Sequence, residues 1–144
     1  MSSWRKICCP VDFSETSRLA LKEAAGLARR DGSELTLVHV LEGTASLGDV
    51  ATSVARLLEA KEAELEEWRA EAERLSGGRV RSTVIPGVAA EEACRFAREG
   101  GFDLVVVGTH GRTGIRHLML GSVAEKVVRE AHSSVLVVRP TEKR

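Results

Sequence analysis

The chain lacks a net charge: 21 Lys and Arg stand against 21 Asp and Glu in 144 residues. No global field therefore draws it to nucleic acid or to a membrane surface, and any anion site must be local. Cysteine is scarce. Cys8, Cys9 and Cys94 form no C-x-x-C pair, which excludes a disulfide framework and the usual zinc spacings. They read as reduced residues of a cytoplasmic protein, with Cys8 and Cys9 pointing to opposite faces of a strand. No apolar run approaches 18 residues, and "MSSWRKICCPVDF" is too short and polar for a secretory signal. The two tryptophans, Trp4 and Trp68, lie far apart and suggest packing rather than an aromatic platform. Two nucleotide fingerprints are also missing. There is no G-x-x-x-x-G-K-[ST], and no G-x-G-x-x-G follows the first strand.

What is present is alternation. Residues 5–11 form a short apolar run ending near Pro10, a first strand. Ser14 is a suitable N-cap for a helix with Ala20, Ala24, Leu27 and Ala28 on one face and Gly32 as its stop. Residues 34–40 are a second strand. Residues 49–75 carry the longest helical period, through Val50, Val54, Leu57, Leu58, Leu65, Trp68, Ala72 and Leu75, with a charged, solvated outer face. Residues 79–87 alternate as a third strand, 89–99 as a third helix, and "FDLVVVG" is a fourth strand apolar enough to be covered on both faces. Residues 122–131 give a fourth helix with Ala124, Val127, Val128 and Ala131 inward, and residues 133–140 a fifth strand.

This βαβαβαβαβ order implies one α/β domain over residues 1–144: a parallel five-stranded sheet with helices on both faces. Two strand orders satisfy it, Rossmann-like 3-2-1-4-5 and flavodoxin-like 2-1-3-4-5. In the first, the winding reverses between strands 1 and 4. Asp12, leaving strand 1, then faces the segment leaving strand 4 across one crevice.

That segment is "GTHGRTGIRHLMLGS", residues 108–122. It holds four glycines (Gly108, Gly111, Gly114, Gly121) and the side chains His110, Arg112, Arg116 and His117. Glycines let backbone N–H groups approach an anion, and a helix start favours phosphate. A structural reading stands beside this one. Gly108 can end a strand, and Ser122 with Glu125 matches an S-x-x-E capping box. His39 reads as a packed strand residue, since nothing near it has metal spacing.

Gly108-x-x-Gly111-(nine residues)-Gly121-Ser122 resembles the ATP-binding signature of the universal stress protein family. The likeness extends through "ICCPVDFSETS", "LTLVHV", "DLVVVGTHGRTG", "LGSVAEKVV" and "SVLVVRP"; "GVAAEEA" after Pro86 is less typical. The resemblance implies the 3-2-1-4-5 order and an adenine nucleotide alpha hydrolase-like fold. It implies ATP, AMP or ADP as ligand, with Mg2+ carried on the nucleotide beside Asp12. It places Asp12 at the ribose or at that metal, and the Val40 backbone at the adenine edge. Gly108, Thr109, His110, Gly111, Arg112, Gly121, Ser122 and Val123 fall around the phosphates, and Pro10 and Val11 at the crevice. It also implies a homodimer through the last strand. Strand 5 supports this independently, because "SVLVV" (Val135, Leu136, Val137 and Val138 with Ser134) is an unbroken apolar edge that a two-fold copy would cover.

Three functions fit these residues: an ATP-dependent regulatory module, a slow ATPase or adenylate-transferring enzyme, and a phospho-acceptor receiver. No nucleophile–base pair has convincing spacing, so robust catalysis is not expected; weak hydrolysis would draw on His110 and Arg112. A receiver would need an acidic residue after strand 3, where the sequence has "VIPG".

Overall fold

The computed structural model describes residues 3–43, 51–109 and 120–140. Among the described residues nine elements alternate: β1 (Lys6–Pro10), α1 (Glu15–Asp31), β2 (Glu34–Leu41), α2 (Ala51–Ser76), β3 (Val80–Pro86), α3 (Ala89–Glu99), β4 (Leu104–Gly108), α4 (Ser122–Glu130) and β5 (Ser134–Val138). All strand pairs are parallel and the order is β3-β2-β1-β4-β5. Of the two orders that periodicity left open, this is the Rossmann-like one.

Local chemistry sets the element ends. The Ser14 hydroxyl accepts the Ser17 N–H at 3.2 Å and caps α1. Gly32 ends the helix in the left-handed region, at φ 71°, with its N–H on the Ala28 carbonyl at 2.8 Å.

The sheet divides the core into two layers, because successive strand residues point to opposite faces. Ile7, Cys9, Leu35, Leu37, Leu104 and Val106 pack under α1 and α2 with Leu21, Leu65 and Trp68. Cys8, Val38, Val105 and Val107 pack under α3 and α4 with Cys94, Ala97, Ala124 and Val127. The adjacent cysteines therefore do face opposite layers. All three thiols are free and buried. Burial pushes the Cys9 thiol up to about 12 and raises Cys8 further.

The long helix departs from its sequence pattern. Leu65, Trp68 and Ala72 are buried, whereas Val54, Leu57 and Leu58 are half-buried and Leu75 is exposed. On α4, Val128 is 49% exposed rather than inward, and Val123 packs against the core in its place. The helix starts at Ser122, and its phase puts Val123, Ala124 and Val127 against the sheet. At the edge, β5 turns Val135 and Val137 toward α3 and α4, while Leu136 is exposed.

One seam differs from the rest. β1 pairs with β2 over five residues, and β4 with β5 over five. Between β1 and β4 only Ile7↔Leu104 and Cys8↔Val105 are in register. The Val11 N–H points to β2, where it donates to the Val38 carbonyl at 2.9 Å. By alternation the Pro10 nitrogen faces β4, and proline has no N–H to extend that ladder. The β1–β4 ladder ends at Cys8, and the residues beyond it on both strands, Pro10 and Val107 with Gly108, border the crevice. Below it the seam is tied: the Asp103 carboxylate accepts the Arg5 N–H at 3.0 Å and the Lys6 N–H at 2.9 Å.

Candidate functional site

A cleft of about 370 Å3 lies at the carboxyl ends of the strands, at the reversal between β1 and β4. Its volume falls in the range of small-molecule sites. The cleft straddles the sheet edge. On the α3/α4 side its wall is apolar: Pro10, Val38, Val40, Val107, Ala89, Ala93, Val123 and Ala124. On the α1/α2 side it is polar: Asp12, Ser17, His39 and Lys61.

The fold brings together Pro10, Val11, Asp12, Val40, Gly108, Gly121, Ser122 and Val123 in this lining, from four separate stretches of sequence. Thr109 is not among the lining residues. It is buried, its N–H donates to the Val138 carbonyl at 3.0 Å, and its carbonyl accepts the Gly121 N–H at 2.6 Å. Thr109 thus pins the start of α4 to the end of β5. The Gly121 N–H is spent on that bond, so the amides with no intrahelical acceptor are those of Ser122, Val123 and Ala124 in the first turn. His110, Gly111 and Arg112 lie outside the described residues.

The capping box that stood as the structural alternative at Ser122 does not form. Gly121 is the N-cap with no side-chain bond, Ser122 is the first helical residue, and Glu125 pairs with Arg129 at 2.7 Å. Ser122 comes one residue too late to cap, and its exposed side chain stands at the cleft. Gly108 has a packing reason for being glycine. A Cβ there would meet the Thr16 carbonyl oxygen at 2.8 Å and its carbon at 2.9 Å. Helix α1 can therefore approach the end of β4, which brings Ser17 and Gly108 to one cleft.

Asp12 sits in a tight turn. Its Oδ1 accepts the Ser14 N–H at 3.0 Å, and its own N–H donates to Ser17 Oγ at 3.3 Å. The cap of α1 is Ser14, so Asp12 is not the helix cap. His39 is buried, as its strand position suggested, and it also lines the cleft. Burial holds its pKa below the usual imidazole value, with Lys61 acting in the same direction; the Val11 carbonyl, Asp12 and Glu64 oppose. A carbonyl only accepts, so the Nδ1···Val11 O contact of 2.8 Å places the hydrogen on Nδ1 and leaves Nε2 an acceptor in the neutral ring.

Sequence reasoning did not find Ser17, His39, Glu42 or Lys61 as lining residues. Ser17 was recoverable, since first-turn residues after a strand line such crevices. Lys61 carried no signal: it is one charge among many on α2. Among the described residues it is the only Lys or Arg that lines the cleft. Glu42 caps α3 instead of a side chain at the N-cap, accepting the Ala89 N–H at 2.9 Å. Among the described residues, no group of three or more His, Cys, Asp or Glu could hold a metal ion.

A parallel sheet in this order, with a cleft at its winding reversal between two helix starts, defines a doubly wound α/β ligand-binding architecture. The chain belongs to the universal stress protein family, whose profile matches residues 3–139. It is 36% identical to universal stress protein G of Escherichia coli O157:H7, covering 94% of this chain and 99% of that protein. The solved structure of MJ0577 from Methanocaldococcus jannaschii is similar with a TM-score of 0.86 and 30% identity, covering 99% of this chain and 100% of that one. A universal stress protein from Archaeoglobus fulgidus, solved in complex with dAMP, is similar with a TM-score of 0.68 and 25% identity, covering 96% and 99%. Among the described residues, no helix is long and apolar enough to cross a membrane.

Proposed function

We propose that the protein is an ATP-binding regulatory module. The adenine ring occupies the apolar wall, with its edge on the backbone of Val40. The ribose lies at Asp12, where a carboxylate suits hydroxyl donors and repels phosphate. The phosphates lie on the first-turn amides of α4 at Ser122 and Val123 and on the Ser122 hydroxyl, beside Gly121, which leaves room for their approach, with Gly108, Thr109, His110, Gly111 and Arg112 as the remaining segment. Mg2+ enters on the nucleotide, since a lone carboxylate does not make a resident metal site.

The observation that carries this reading is the convergence of Asp12, Val40 and the α4 N-terminus on one cleft. The dAMP complex of the Archaeoglobus fulgidus relative supports an adenine nucleotide as the ligand class. Calorimetry with ATP, AMP and NAD, with and without Mg2+, tests it. ATP should bind saturably and NAD should not; no heat with ATP or AMP rejects the reading. A single-turnover assay with labelled ATP should show little release of phosphate, and brisk release would favour the enzyme alternative.

The module works as a homodimer through β5, in the reducing cytoplasm that suits three free thiols. Among the described residues, strand β5 has one partner strand, and it exposes Leu136. Leu136→Asp should shift light scattering toward the monomer. Leu136 serves better than Val138, which packs against the α1/α2 core. An intact dimer in Leu136→Asp would exclude this interface.

A further inference from the structure

Phe13 is, among the described residues, the one non-glycine residue with positive φ, at 65°. A bulky side chain adopts this conformation only where its surroundings over-determine it. Here the ring is held from three directions. The His39 ring lies 4.5 Å away between centroids, tilted by 36°. The Trp68 ring meets it edge-on at 5.3 Å. The Lys61 ammonium sits over it at 5.4 Å from the centroid. His39 is itself fixed by its bond to the Val11 carbonyl, one residue before Asp12.

His39 and Lys61 line the cleft, whereas the Phe13 ring itself acts through the backbone. Phe13 is not among the residues that line the cleft, while its neighbour Asp12 is. The left-handed step at Phe13 turns the chain back sharply. It carries the Ser14 N–H to Asp12 Oδ1 at 3.0 Å and lets the Asp12 N–H reach Ser17 Oγ at 3.3 Å. Without the step the carboxylate loses the geometry in which both of these bonds form.

We infer that Phe13 is the positioning residue for Asp12: its ring, locked among His39, Trp68 and Lys61, fixes the turn that presents the carboxylate to the sugar of a bound nucleotide. The inference rests on the adenine-nucleotide reading above, with Asp12 at the ribose. It separates two roles that a simple core residue would not separate. A ring that only stabilises the fold affects every ligand alike. A ring that aims Asp12 affects only ligands whose sugar hydroxyls Asp12 can meet.

The test measures binding of ATP and of 2′,3′-dideoxy-ATP by calorimetry at one fixed Mg2+ concentration. The proteins are the wild type, Phe13→Ala, Phe13→Leu, Phe13→Tyr and Asp12→Asn. Phe13→Leu keeps apolar volume and serves if Phe13→Ala does not fold; thermal melts establish which variants are folded. The wild type should prefer ATP by about tenfold, the size of one charge-assisted contact. Phe13→Leu and Phe13→Ala should bring that preference to within about twofold, as Asp12→Asn does, with dideoxy-ATP binding unchanged. Phe13→Tyr should keep it. Equal losses for both ligands, or a preference that survives in Phe13→Leu, would overturn the inference. A wild type that binds both ligands equally overturns it too, while leaving nucleotide binding intact. A wild type that binds neither removes the nucleotide reading and this inference together.

Discussion

Between Pro10 and Thr16 the chain leaves β1 with no glycine; between Gly108 and Ser122 it leaves β4 with four. The first segment and the described ends of the second, Gly108, Gly121 and Ser122, border the same cleft, and each segment leads into a helix. The first is built from side chains. Ser14 caps, Asp12 and Ser17 bond within the turn, and Phe13 is wedged among rings. The second begins its helix with a glycine and no side-chain cap, so amides and a serine face the cleft. A turn of the first kind offers a ligand one aimed carboxylate. A start of the second kind offers bare backbone dipoles, which suit charge spread over several oxygens.

Four substitutions would break or sharpen this contrast. Gly108→Val strikes where the two segments touch, since its side chain would press on the Thr16 backbone at 2.8 Å. It should cost about 1–3 kcal/mol of stability by denaturant titration, the range for overpacking. A loss below that range would mean that α1 can withdraw from β4 freely. Gly121→Val tests the glycine side alone. Its backbone, at φ −68° and ψ 167°, accepts any residue. ATP affinity should fall at least about tenfold, roughly 1.4 kcal/mol, with the circular dichroism spectrum unchanged. Unaltered affinity in the folded variant would remove the α4 start from the phosphate site. Ser14→Ala tests the side-chain turn, and loss of its bond to the Ser17 N–H should lower stability by about 1 kcal/mol. No change in melting temperature would show that water caps α1 equally well.

The smallest effect concerns pH. The folded protein holds the His39 pKa below its ordinary 6.5, chiefly through burial. Below 6.5 the unfolded chain then binds the proton more readily than the folded one. The stability contribution is full above that pH and is lost as pH falls through the window beneath it. The melting temperature should decline between pH 7 and 5.5 in the wild type and less in His39→Gln. Parallel declines would assign the acid sensitivity elsewhere.

The sequence made the strand order a choice of two, and the glycine signature's family resemblance pointed to one of them. Ser14 and Gly32 were legible because caps depend on local chemistry. The start of α4 was not legible: S-x-x-E left a cap at Ser122 open beside the phosphate reading, and packing of Val123 against the sheet puts the N-cap one residue earlier, at Gly121. Lys61 and His39 could not be placed at the cleft from periodicity. Lys61 reaches the cleft through the way α2 lies across α1 and β2, and His39 through the pairing of β2 with β1; both depend on long-range packing. The left-handed Phe13 carried no local signal either, since bulky aromatic residues rarely occupy that region.

The short pairing between β1 and β4 has a mechanical consequence. The sheet consists of two panels, β3-β2-β1 and β4-β5, joined by two residue pairs and tied beneath by Asp103. Asp12 follows one panel and Ser122 the other, and both line the cleft beyond the last β1–β4 pair. A ligand held at both places would add a tie at the open end of the seam, opposite the one that Asp103 makes.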